Sequence, residues 1–319
     1  MDGTSSNSST KSSTLRWQIL RRALLRRPAS GPDNQSDMAI EQISRKATRG
    51  FNLIPCSLVE NCSQEISDSL LRKDALRSSA LLCYTLPLPK SPQLTLHQRV
   101  NGIVDLSDFE VCNRCNIDNT GLVCQWPSED VLAYYCLLHA DMFRDKRVIE
   151  VGAGYGIAGL VVAVATDALE VAITDGNPQV VDYIQRNVST NSGMFGGTAV
   201  KSMILHWGQE NVPDISNTFD FIIASDCTFF KEFHEALAET IKSLLKKDSP
   251  SEALLFCPKR GDSLDKFLGK VIGSGLNFTI ENNYDAEIWR RHQRFLYGDE
   301  SWPNYEMDHC YPLLLRIRW

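Results

Sequence analysis

Several things that this 319-residue chain does not contain narrow the field first. No stretch approaches the roughly 18 consecutive apolar residues that a membrane-spanning helix needs. The run from Ile157 to Ala165 is too short and contains Gly159. No secretory leader is expected either, although the serines, threonines and arginines of residues 1–27 keep an organellar transit peptide open as an alternative. The cysteines, Cys56, Cys62, Cys83, Cys112, Cys115, Cys124, Cys136, Cys227, Cys257 and Cys310, show no framework spacing. Cys112 and Cys115 form a single CxxC with Cys124 nearby, but no second pair and no HxxxH follows, so no metal is expected. Reduced thiols in a reducing compartment are the expectation, in the cytoplasm and also the nucleus. A basic surplus is missing too: the net charge is -6, which argues against a nucleic-acid partner. No membrane partner and no internal repeat is seen, and a monomer is expected. With 43% hydrophobic and 23% charged residues, the chain can still bury a substantial core.

What is present has a clear order. Residues 1–14 are rich in Ser and Thr and are expected to be disordered. Residues 15–27 read as a short basic amphipathic helix ended by Pro28, and linker composition follows to residue 37. Residues 1–37 carry six basic and three acidic side chains, a net of +3, so a chain of total charge -6 holds -9 in its remainder. Strand-like patterns at 51–59, 80–88 and 93–100 predict a β-rich lobe over residues 38–125. From Trp126 the character changes. Pro127-Ser-Glu-Asp130 opens a helix, with Ser128 as its expected cap. Strand patterns at 147–151, 170–174, 199–206, 219–224 and 253–258 then alternate with helical patterns at 157–165, 178–190, 232–245 and 263–273. Two further strands, 277–281 and 311–319, close the series. Such alternation predicts an α/β fold over 126–319: a doubly wound, mostly parallel, Rossmann-like sheet of seven strands.

The segment from Arg147 to Leu160 is a buried strand, a glycine turn and a helix start. Gly152 and Gly154, flanking Ala153, let a ligand approach the backbone without a Cβ in the way. The dinucleotide pattern GxGxxG fails when counted from Gly152. It fits from Gly154 through Gly156 and Gly159, but then begins two residues beyond the strand. Asp175 follows the next strand, where a carboxylate can take both hydroxyls of a ribose. That requirement is shared by NAD and S-adenosylmethionine. Glu150 separates the two, because an acid inside an apolar strand is costly unless a cation faces it. A sulfonium with an ammonium supplies that cation; a diphosphate does not.

With those residues in view, Glu150-Val-Gly-Ala-Gly-Tyr-Gly156 followed by Asp175 resembles the first two motifs of the class I, seven-strand methyltransferases. Trp126, Trp207 in Ile204-Leu-His-Trp207, and Ser225-Asp226-Cys-Thr-Phe-Phe230 are similar to the lysine-specific branch. Phe229 departs from that branch, where many members have tyrosine. The stretch from Asn119 to Cys136, with Thr174–Asn177, Cys257–Gly261, Asn283–Asp285 and Tyr311–Leu315, is similar to the calmodulin-lysine N-methyltransferase family, which Phe229 also matches.

The resemblance implies methyl transfer from S-adenosylmethionine to one lysine of calmodulin, up to trimethyl-lysine. It implies a cofactor site of Trp126, Glu150, Gly152, Ala153, Gly154, Asp175, Trp207 and Ser225. It also implies a lysine slot of Asp226, Phe229, Tyr284 and Asp285. No general base is required, because an apolar slot itself lowers a lysine's pKa. An acidic enzyme acting on an acidic protein needs a local basic surface, for which Lys259, Arg260, Arg290, Arg291, Arg294 and the 15–27 helix are candidates. Alternatively that helix docks on the body with a solvated basic face. Three other readings stay open: a lysine methyltransferase with another protein target, an NAD-dependent oxidoreductase, and a non-catalytic calmodulin-binding protein.

Overall fold

The computed structural model of the chain describes residues 50–59, 79–99, 117, 120–123, 126–208, 215–247 and 249–319. The expected basic helix at 15–27 and the Cys112–Cys115–Cys124 group lie outside them. Three antiparallel strands come first: β1 (Cys56–Leu58), β2 (Ser79–Thr85) and β3 (Gln93–Arg99). After helix α1 (Pro127–Leu138) the alternation begins, with β4 (Arg147–Val151), α2 (Ile157–Ala165), β5 (Glu170–Asp175), α3 (Pro178–Asn191) and β6 (Ala199–Ile204). It continues through β7 (Phe221–Ser225), α4 (His234–Leu244), β8 (Glu252–Cys257), α5 (Ser263–Gly273) and β9 (Asn277–Glu281). Helix α6 (Ala286–Leu296) and β10 (Leu313–Arg318) complete the chain.

The large sheet has the order β6-β5-β4-β7-β8-β10-β9, parallel except for β10, which runs antiparallel between β8 and β9. Both faces are covered, which is why its central strands read as nearly continuous apolar runs. Val148, Ile173, Ile223, Leu254 and Phe256 share one core with α1, α2 and α3. Their alternating neighbours Ile149, Val151, Ala172, Ile222 and Leu255 share the other with α4 and α5. Each fully buried aliphatic side chain contributes about 1.5–3 kcal/mol relative to exposure. Strand order reverses between β4 and β7, the switch point outside whose carboxyl ends ligands bind in open α/β sheets.

The small sheet belongs to the first of these cores through Leu82, Tyr84, Leu94 and Leu96. Its edge strand β3 is closed by two asparagines one turn apart on α3. Asn191 accepts from the Thr95 amide at 2.9 Å and donates to the Thr95 carbonyl at 2.8 Å. Asn187 accepts from the His97 amide at 2.6 Å and donates to the Tyr155 carbonyl at 3.1 Å. These side chains satisfy an edge that would otherwise invite pairing with another chain. They also tie the small sheet to the glycine turn, where Tyr155 accepts from the Arg99 amide at 3.1 Å and donates to the Leu122 carbonyl at 2.7 Å.

Three local expectations are corrected. The strand at 51–59 shortens to Cys56–Leu58, because the amides of Leu53 and Ile54 are taken by the Asp130 carboxylate at 2.8 and 3.2 Å. Ser128 does not cap α1: Pro127 occupies the helix start, Trp126 is the capping position without a side-chain bond, and Ser128 is buried in the first turn. The helix at 232–245 begins as a 3-10 turn, Lys231–Phe233, before α4. Among the described residues, no helix is long and apolar enough to cross a membrane.

Candidate active site

The turn after β4 leaves the strand at Gly152, whose φ of +66° is in the left-handed region. A Cβ built there would stand 2.8 Å from the Cys227 Sγ and 3.2 Å from the Trp207 ring. Backbone and indole thus meet without room for a side chain. Gly159, in the first turn of α2, has a different duty: a Cβ there would lie 2.7 Å from both Glu150 Oε2 and Ile173. It lets α2 lie close on β4 and β5, the helix-packing duty of a third glycine in such turns.

These elements enclose a cavity of about 410 Å³ at the switch point. Such a volume falls in the range of small-molecule sites, roughly 300–1,000 Å³. Nine of the residues expected from sequence form its wall: Trp126, Gly152, Ala153, Gly154, Asp175, Trp207, Ser225, Asp226 and Phe229. Asp175 is oriented by two backbone donors, Gly154 N at 3.1 Å and Asn177 N at 2.9 Å, each taking one carboxylate oxygen. Trp207 stands edge-on to Phe233 at 6.2 Å, and Trp126 lies 5.7 Å from Phe229.

Glu150, Tyr284 and Asp285 do not line the cavity. The pleat of β4 turns Glu150 toward α2, where it is 2% exposed and accepts from the Gly159 amide at 2.8 Å. Burial, and after it the charge of Glu129, pushes its pKa well above the usual carboxylate range. The expected face-to-face pairing of Glu150 with a cationic ligand is therefore corrected: this acid braces the glycine turn from beneath. The Tyr284 hydroxyl donates to the Pro312 carbonyl at 2.7 Å, in an aromatic cluster with Phe256 and Tyr311. Asp285 caps α6, accepting from the Ile288 amide at 2.8 Å. Both are structural in this geometry.

Sequence reasoning missed Glu129, Thr120, Gly121, His206, Cys227 and Phe233, all in the wall. Glu129 is the important one. It sits in the first turn of α1, 7% exposed, where a helix N-terminus favours an anion. The visible signal was the acidic pair Glu129-Asp130 directly after Trp126-Pro127. Four carboxylates, Glu129, Asp175, Asp226 and Glu232, and no lysine or arginine appear among the described lining residues. Asp226 is paired with Arg260 behind the wall, and the other three acids suit a positively charged ligand and oppose a diphosphate.

The strand order with its reversed β10, and the site at its switch point, are those of the class I methyltransferase fold. Residues 116–273 match the family model described as lysine methyltransferase. The chain is 58% identical over 317 residues, 99% of each sequence, to calmodulin-lysine N-methyltransferase of Arabidopsis thaliana. It is 35% identical to protein-lysine methyltransferase METTL21E of Mus musculus over 38% of this chain and 51% of that one. It is 30% identical to protein N-lysine methyltransferase METTL21A of Danio rerio over 51% and 71%. The chain belongs to the lysine methyltransferase family.

The methyl donor of this class is S-adenosylmethionine, and the residues present fit it. The closed contact at Gly152 leaves bare backbone for the donor, Asp175 is oriented for ribose hydroxyls, and the acidic wall matches a sulfonium and an ammonium. Bound there, the donor supplies a methyl group already activated for displacement. The protein's own task is orientation and exclusion of water, which Trp126, Trp207, Phe229 and Phe233 serve.

Proposed function

We propose that this protein transfers methyl groups from S-adenosylmethionine to a lysine side chain of calmodulin. The observation that carries the reading is the reach of the 58% identity. It runs through 99% of both sequences and so takes in both residues 116–273, which hold the cavity wall, and the segments outside them. Free thiols at all six described cysteines fit the proposed cytoplasmic or nuclear setting.

Catalysis needs a neutral amine, and a free lysine has a pKa near 10.4. Desolvation against Trp126 and Phe229 favours the uncharged form, while Asp226 at the same wall accepts a hydrogen bond that fixes the lone pair's direction. The proton leaves to solvent before the methyl arrives. Aromatic faces then hold the methylated cation at about 0.5–2 kcal/mol each, which permits repeated transfer.

The basic surface expected for an acidic partner is less free than the sequence suggests. Arg290 and Arg291 pair with Glu287 at 2.7 Å, Arg294 pairs with Asp299, and Arg260 turns inward. The exposed pairs of Arg290 and Arg294 are worth about 0–1 kcal/mol, so exchanging a partner there for a carboxylate of calmodulin costs little, whereas Arg291 also donates to the Phe51 and Asn52 carbonyls.

Incubation of the protein with isotope-labelled S-adenosylmethionine and unmodified calmodulin, followed by peptide mass spectrometry, tests the reading. Label confined to one lysine, reaching three methyl groups, is the expected outcome. Calmodulin left unlabelled while the protein binds the donor would assign the chemistry to another protein substrate.

A further inference from the structure

The guanidinium of Arg260 packs against three residues of the cavity wall without itself being among the described lining residues. It pairs with Asp226 at 2.5 Å and lies over the rings of Trp126 and Phe229, 4.9 and 5.0 Å from their centroids. Asp226, Trp126 and Phe229 are all cavity-wall residues. The two charged side chains are only 8% and 3% exposed, and the Arg260 Nη1 has no hydrogen-bond partner. A buried ion pair with an unsatisfied donor is a poor way to gain stability. It is, however, a good chemical match for an alkylammonium: one carboxylate and two aromatic faces.

The backbone around it is shaped for this placement. Arg260 has φ +46° and Gly261 φ +66°, two consecutive left-handed residues after β8. The bend is held by the Arg260 amide donating to the Asp308 carbonyl at 2.7 Å and the Gly261 amide donating to the Asp308 carboxylate at 2.6 Å. Left-handed backbone is unfavourable for arginine, so its retention here asks for a reason. The neighbouring Lys259, by contrast, is exposed.

We infer that Arg260 is the specificity gate of the lysine slot, an internal cation that occupies the Asp226–Trp126–Phe229 cage until the substrate's lysine displaces it. This rests on the lysine-methylation reading. An amine that binds the cage alone must overcome the resident arginine, and its apparent affinity falls by the fraction of molecules whose cage is vacant. A protein that also engages the surface around Asp308 and α6 can move the arginine while delivering its lysine. Small amines and stray lysines are thereby refused.

Calorimetric titration of n-butylammonium, a lysine side-chain mimic, into the full-length wild type and Arg260→Ala tests this, with n-butanol as the uncharged control. The expected result is butylammonium binding to Arg260→Ala at least roughly tenfold tighter than to the wild type, with butanol bound by neither. Equal binding to both proteins, or none to either, would overturn the gate. Arg260→Gln, which keeps the side chain's length without its charge, repeats the titration should the alanine variant fold poorly. S-adenosylmethionine affinity within about threefold of wild type certifies that the cavity is intact. In the same variants the KM for protein substrate should fall. A merely structural arginine would instead give a raised KM in these variants, restored by Arg260→Lys. Wild-type inactivity toward calmodulin sinks only the choice of substrate, since the titration uses no protein partner.

Discussion

Gly152→Ala is expected to weaken S-adenosylmethionine binding at least roughly 100-fold and to silence methyl transfer. The added methyl would stand 2.8 Å from the Cys227 Sγ and 3.2 Å from the Trp207 indole, closer than a Cβ is normally found to a neighbour. The position also has φ +66°, which costs a residue bearing a Cβ about 1–2 kcal/mol. Relief requires the turn to move toward the cavity or the indole to leave its wall, and either removes the contact surface for the adenosine. A 100-fold loss corresponds to about 2.7 kcal/mol, well within the sum of strain and displaced packing. Gly273→Ala is the contrasting control, because nothing lies within 4 Å of the added Cβ and it ends a helix. That variant should bind the donor normally and be stable to within about 1 kcal/mol of wild type. Calorimetry on the two alanine variants decides; equal affinity would show that the glycine turn does not form the donor's seat.

Asp226→Asn should leave donor affinity within about threefold while lowering kcat/KM toward protein substrate roughly 100-fold. Asparagine tolerates the left-handed φ of +55° at this position and preserves the side chain's shape, so the change is one of charge. The lost charge matters twice. It weakens the acceptor that aligns a neutral amine and removes the charge that holds the methylated cation, and it leaves the buried Arg260 guanidinium without its ionic partner. Removing one member of a buried pair typically costs about 3–5 kcal/mol of stability. The double variant Asp226→Asn/Arg260→Gln should therefore regain much of the stability but none of the activity. Denaturant titration beside steady-state kinetics separates the two effects. Full kcat/KM in the single variant would remove Asp226 from the lysine slot.

Much of this architecture could be read from the residues, because the β-α alternation and the glycine turn are local patterns. The bounds of β4, α2, α5 and β9 coincide with the sequence reading. Nine expected wall residues came together because each follows a strand's carboxyl end or opens a helix beside it. What escaped was direction. Glu150 belongs to the right strand, but the pleat aims it at Gly159, a fact that only the approach of α2 reveals. Helix α6, in which Ile288, His292 and Phe295 repeat at helical spacing, makes Asp285 its cap rather than a slot residue. Tyr284 is a slot residue only by resemblance, and in the structure its hydroxyl donates to the Pro312 carbonyl. Arg260 read as surface charge because nothing in a Cys-Pro-Lys-Arg-Gly sequence shows which of two basic side chains turns inward.

The distinction that matters most is the sign of the ligand's charge, since an acid-lined cavity was inferred to take a cationic adenosyl donor and refuse a diphosphate. Parallel calorimetric titrations of the full chain with S-adenosylmethionine and with NAD, in wild type and Asp175→Ala, measure it directly. Wild type should bind S-adenosylmethionine and not NAD, and loss of the Asp175 carboxylate should weaken that binding roughly tenfold or more. Binding of NAD as tight as that of S-adenosylmethionine, or undiminished affinity in Asp175→Ala, would contradict it.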